Sequence, residues 1–117
     1  MLDEVESDGA AVRQIVGQAR MIRYWMGMQL LIPQMPGVYW FFDQRGVLYA
    51  GSTISIRRRF CEHQDSPNPL LRKALAKPVG APHFAWVEAN VRDLEDLERI
   101  LIRFFRPPCN RIRYVAR

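Results

Sequence analysis

The chain has 117 residues, 49% of them hydrophobic and 25% charged, the composition of one ordinary globular domain with a modest core. Cys61 and Cys109 are too few and too far apart for a disulfide scaffold or a zinc framework, so both are read as reduced thiols, and no apolar run is long enough to span a membrane. The formal charge of +5 is uneven: Asp3, Glu4, Glu6 and Asp8 crowd the start, leaving residues 9–117 with 17 Lys+Arg against eight acids, a formal +9 that favours a polyanionic partner.

The acidic opening lacks the basic start and apolar core of a secretion signal, so a soluble intracellular protein is expected. Ser7 or Asp8 can cap a helix running to about Met28. Val12, Ile15, Val16, Ala19, Ile22 and Met26 form its apolar stripe, and Arg13, Arg20 and Tyr24 lie on another face. Residues 1–35 read as this amphipathic helix packed on a core of residues 36–117.

Pro33 and Pro36 end the helical region, and "GVYWFFDQRGVLYAG" follows as a β-hairpin, with strands at Val38 to Asp43 and Val47 to Gly51. A three-residue loop, Asp43 to Arg45 with Gly46 in the left-handed conformation, sets Asp43 opposite Val47, Phe41 opposite Tyr49 and Tyr39 opposite Gly51. Tyr39 and Tyr49 then share one face of the sheet; a two-residue loop would put them on opposite faces.

Residues 55–64, "SIRRRFCEHQ", read as a helix capped by Ser55 with Ile56 and Phe60 buried. Arg57, Arg58 and Arg59 crowd its first turn against the helix dipole, a local conflict that an anion would relieve, and Arg59 and His63 project from one face. Asn68-Pro69 caps a short helix to about Lys77. A third strand spans His83 to Ala89, with Phe84 and Trp86 alternating against Ala85 and Val87. The last helix runs from about Asp93 to Phe105 on the stripe Leu94, Leu97, Leu101 and Phe105. Glu98 falls within that stripe, while Glu95, Arg99 and Arg103 point away. A carboxylate aimed into an apolar interface needs a partner, a structural salt bridge to an arginine or a bound metal.

Four stretches in this order, "GVY" at 37–39, "YAG" at 49–51, "IRRRFCEH" at 56–63 and "LERILIRFFRPPCN" at 97–110, resemble the GIY-YIG nucleases over residues 36–112. The resemblance implies an α/β (α+β) fold with a small three-stranded, mostly antiparallel sheet flanked by helices, here with an extra N-terminal helix. It implies a metal-dependent endonuclease that cleaves DNA, with RNA not excluded, in a cytoplasmic or nucleoid-associated setting. Tyr39 and Tyr49 would line the cleavage site, Arg59 would clamp the phosphate, His63 would assist, Glu98 would hold one Mg²⁺ or Mn²⁺, and Asn110 would fix local geometry or contact a phosphate. An unperturbed phenol titrates near pH ~10, so a tyrosine base needs a nearby cation or acceptor; Tyr39 is the first choice, with Tyr49 close behind. Arg57, Arg58, Arg111 and Arg113 would extend the nucleic-acid surface, and a homodimer or protein partner is one route to specificity. Ala50 and Ser52 depart from the family's usual isoleucine or valine and from the lysine of some relatives. The alternative is a non-cleaving nucleic-acid-binding module on the same fold.

Overall fold

A computed structural model describes residues 4–25, 27–62 and 66–110. In chain order they form α1 (Glu4–Gln18), β1 (Arg20–Arg23), a 3₁₀ turn (Met28–Leu31), β2 (Gly37–Asp43), β3 (Gly46–Thr53), α2 (Ile56–Glu62), α3 (Pro69–Ala76), β4 (His83–Glu88), a second 3₁₀ turn (Val91–Asp93) and α4 (Leu94–Phe105). The strands make one antiparallel sheet in the order β1-β4-β2-β3, so β1 and β3 are its edges.

The sheet has four strands where the sequence predicts three. The helix expected to reach about Met28 stops at Gln18, and Arg20–Arg23 leaves it to pair with His83–Trp86. The helical stripe is real only as far as Val12 and Ile15, which are buried; Val16 is exposed. The open edge of β4 offers a full ladder of backbone hydrogen bonds, and four residues with a central β-branched Ile22 take it in preference to another helical turn. Met26 lies outside the described residues.

α1 is tied to α4 by Asp8, which is buried and accepts two hydrogen bonds from Arg103, at 2.5 and 2.7 Å. Arg103, expected to point to solvent, is therefore turned inward on α1. Around it, Val12 and Ile15 join Val38, Trp40, Ala50, Ala85, Leu94, Leu101 and Ile102 in the core on one face of the sheet. The opposite face carries an aromatic core in which Tyr39, Phe41 and Phe60 surround Phe84 at centroid distances of 5.0 to 5.5 Å, covered by α2 and the segment around Ile32.

The β2–β3 hairpin departs from the expected loop. Asp43 faces Gly46, which leaves a two-residue connection, and Phe42 faces Val47. A bulge between Phe41 and Phe42 then skips Leu48 and brings Phe41 opposite Tyr49 and Tyr39 opposite Gly51. The extra residue restores the parity that the short loop removes, so both tyrosines fall on the aromatic face.

Asp43 holds the turn in place. Its carboxylate accepts from the Arg45 side chain at 2.6 Å, from the Arg45 backbone N–H at 2.8 Å and from the Val79 N–H at 3.0 Å, joining the hairpin to the loop after α3. The hydrogen bond from the Arg45 side chain is the largest cause holding this carboxyl down, at about 2. Because the folded value lies below the unfolded one, this stabilisation is complete above about pH 4 and is lost as pH falls toward 2. Urea midpoints measured across that window should fall for the wild type and fall less for Asp43→Asn.

Candidate active site

Four elements bring their candidate residues to one place. Tyr39 on β2 is 1% exposed, its ring stacked on Phe84 at 5.5 Å and 6.1 Å from that of Tyr49 on β3. Burial pushes its phenol well above the ordinary value; Tyr49 raises it further by charge and by a hydrogen bond, Glu98 adds a smaller push, and Arg59 pulls it down. Tyr49 is only half-buried and stands nearer the surface. The electrostatic reach of Arg59 on α2 and Glu98 on α4 to Tyr39 marks the common cluster.

The two motif glycines allow this packing by lacking a Cβ. One added at Gly51 would stand 2.7 Å from the Tyr39 hydroxyl oxygen and 2.9 Å from its ring carbon Cζ. At Gly37 it would meet the Val87 carbonyl oxygen at 2.2 Å. The tyrosine thus lies directly over the backbone of β3, a close approach that only glycine permits.

Glu98 is half-buried and points to the outer edge of β3. Its Oε1 accepts the Ser52 backbone N–H at 3.2 Å, and the Ser52 hydroxyl also bonds to the carboxylate. Burial raises its pKa, opposed first by these two Ser52 bonds and then by Arg59. Among the described residues no arginine or lysine comes within 4 Å, so the expected alternative of a structural salt bridge is absent there. Ser52 was noted in the sequence only as a departure from lysine. Its backbone role leaves no residue-specific signal, since every non-proline residue has that N–H.

The three arginines of α2 separate. Arg58 and Arg59 both pair with Glu62, at 3.3 and 3.4 Å, a spacing of four and three that is visible in the sequence. Arg57 donates from Nε to the Ile32 carbonyl at 2.7 Å. The Nε of Arg59 is buried with no hydrogen-bond partner among the described residues. An N–H in that state costs about 1–3 kcal/mol until an acceptor arrives.

Asn110 is buried against β3 and not aimed into the cluster. Its Oδ1 accepts the Ala50 N–H at 3.0 Å and its Nδ2 donates to the Ala50 carbonyl at 2.8 Å, so the side-chain amide pairs with the residue between Tyr49 and Gly51 as another strand would. Of the two roles expected for it, this geometry serves local positioning. His63, Arg111 and Arg113 lie outside the described residues.

This antiparallel sheet, with its hairpin, basic helix and terminal helix, is the fold of the GIY-YIG endonuclease domains. The likeness is to the N-terminal endonuclease domain of UvrC from Thermotoga maritima, whose magnesium-bound structure matches at a TM-score of 0.60 and 24% identity, over 71% of this chain and 91% of that one. A tyrosine-to-phenylalanine point mutant of the same domain, bound to its catalytic divalent cation, matches at 0.60 and 23%, over 71% and 91%. An asparagine-to-alanine mutant, also cation-bound, matches at 0.59 and 24%, over 71% and 90%. No protein-family model matches the chain, and no curated protein does.

Asn110→Ala would leave both backbone groups of Ala50 unpaired in a buried place and should cost about 2–4 kcal/mol in urea unfolding. Gly51→Ala would force Tyr39 off its seat on Phe84; a loss of about 1–3 kcal/mol should appear in the same measurement.

Proposed function

We propose that the chain is a metal-dependent endonuclease that hydrolyses phosphodiester bonds in DNA. What carries this reading is the convergence, from four separate elements, of two tyrosines, a guanidinium with a buried unpartnered N–H and a half-buried carboxylate with no basic side chain within 4 Å among the described residues. Solved domains of the same fold hold a catalytic divalent cation, magnesium in one.

The residues present suit such an ion. Among the described residues no group of three or more His, Cys, Asp or Glu side chains is arranged to hold a metal. A lone carboxylate is the donor set of Mg²⁺ or Mn²⁺, which keep most of their waters and take one or two carboxylates, and Glu98 would hold it. When bound, the ion supplies neutralisation of charge on the phosphoryl oxygens and at the leaving oxygen.

The chain's own groups do the rest. Arg59 turns its unpartnered Nε–H to a phosphate oxygen, which supplies the missing acceptor and stabilises the charge growing there. Tyr39 is held as a neutral phenol by burial, so its hydrogen bond with Tyr49 orients the second phenol. Tyr49, the more exposed of the two, is the better placed to take the proton of the attacking water while passing its own hydroxyl proton to solvent, which reverses the order preferred from sequence. Ser52 holds Glu98 through its N–H and hydroxyl, and Asn110 holds the strand that carries Tyr49.

The test is cleavage of labelled single-stranded, duplex, nicked and branched DNA in Mg²⁺, Mn²⁺ or EDTA. The wild type should cut only with metal, and Glu98→Gln should lose at least about a hundredfold in rate while keeping its affinity for DNA. Undiminished metal-dependent cutting by Glu98→Gln would remove Glu98 from the site. Salt-sensitive binding without cutting by the wild type would turn the reading to the binding module.

A further inference from the structure

The aromatic face of the sheet holds a concavity that the tyrosine cluster does not use. A cavity of about 290 Å³, at the lower end of the range for small-molecule sites, is lined by Arg20, Arg57, Trp86, Glu88, Leu30 and Leu31. It exists because residues 20–23 form a strand: Arg20 reaches this place only as the register partner of Trp86.

Its position relative to the cluster follows from the register. Arg20 faces Trp86, Trp86 faces Tyr39 and Tyr39 faces Gly51, one row across all four strands. Neighbouring strands lie about 4.8 Å apart, which puts the backbone of Arg20 roughly 10 Å from that of Tyr39. α2 divides the two places. Arg57 and Arg59 are two positions apart, about 200° around a helix, so Arg57 lines the cavity while Arg59 acts on Tyr39.

The cavity carries unneutralised positive charge. The bond from Arg57 Nε to the Ile32 carbonyl fixes the guanidinium plane and leaves its Nη groups to find another acceptor. Arg20 is exposed. Although Glu88 lines the same cavity, neither arginine has a carboxylate oxygen within 4 Å among the described residues. Beside the two cations, Leu30 is 77% and Leu31 63% exposed, an apolar rim that a small inorganic anion would not cover.

We propose that this cavity is a second subsite for the substrate strand, taking one nucleotide that flanks the cleaved bond, with its phosphate on Arg20 and Arg57 and its base against Leu30 and Leu31. The identity of the occupant rests on the nuclease reading; the charge and shape that select a nucleotide do not. Two guanidiniums in one cavity suit a phosphate, and the leucines suit the face of a base. Arg57 thus belongs to strand positioning and Arg59 to the cleavage centre.

The test needs neither metal nor cleavage. Thymidine 5′-monophosphate, thymidine and inorganic phosphate are titrated separately into the metal-free protein while the indole N–H of Trp86 and the amides of Gln18 and Val87 are followed by NMR. The monophosphate should shift these signals saturably, with thymidine and phosphate alone each binding at least about tenfold more weakly, and Arg20→Gln should weaken the monophosphate about tenfold. The salt dependence of binding to a short single strand should become shallower by about 0.7 in Arg20→Gln and stay unchanged in Arg13→Gln, which removes an exposed arginine of α1. Equal shifts with thymidine, or an unaltered response in Arg20→Gln, would overturn the subsite. The nuclease reading fails by a different result, a wild type that cuts nothing, which leaves these titrations standing.

Discussion

The bulge in the β2–β3 hairpin is the constraint on which the site depends. Side chains alternate along a strand, so a one-residue change in pairing moves every one of them to the other face. The two-residue connection from Asp43 to Gly46 alone would set Tyr39 and Tyr49 on opposite sides of the sheet. Skipping Leu48 returns them to one face, beside Phe84 and under α2. The glycines follow from the same register: with Tyr39 opposite Gly51, the phenol has somewhere to lie.

The site is built at a sheet edge, and its supports come from there. An edge strand presents a row of backbone groups with no ladder partner. Along β3 those of Leu48, Ala50 and Ser52 are met in turn by the Cys109 N–H, the Asn110 amide and Glu98. The same contacts that close the edge therefore set Glu98 and Asn110 relative to Tyr49 and Gly51. The other edge strand, β1, begins and ends in arginine, which discourages pairing with another chain and leaves positive charge at that side of the sheet.

Carboxylates divide accordingly. Asp8, Asp43, Glu62 and Glu95 each pair with an arginine, and these pairs join helix to helix, close a turn or decorate a helix surface. Glu98 takes a backbone N–H and a hydroxyl in place of an arginine, although Arg59 is close enough to act on it. A half-buried carboxylate held in this way retains its appetite for a cation, and in an arginine-rich chain that arrangement is a choice of geometry and not a shortage of partners.

Local pattern reached much of this molecule. The proline break and the turn residues located the β2–β3 hairpin, period-two alternation located β4, Asn68-Pro69 marked the start of α3, and the 3.6-residue stripe of α4 singled out Glu98, because such signals record where an element starts, stops or is buried. The turn was misread, yet the pairing of Phe41 with Tyr49 came out as expected, since an added loop residue and a bulge shift the register alike. β1 was not legible: Arg20–Arg23 continues a helical pattern, and only the unpaired edge of β4, some sixty residues away in sequence, makes it a strand. The inward turn of Arg103, the Ser52 support of Glu98 and the separation of Arg57 from Arg59 to different sides of α2 were likewise decided by tertiary structure. By itself the sequence determined which residue types the candidate site contains and where the hairpin, β4 and α4 lie. The tertiary structure decided which backbone groups and distant charges those residues meet, because hydrogen bonds and ion pairs between remote segments leave no periodic trace in the chain.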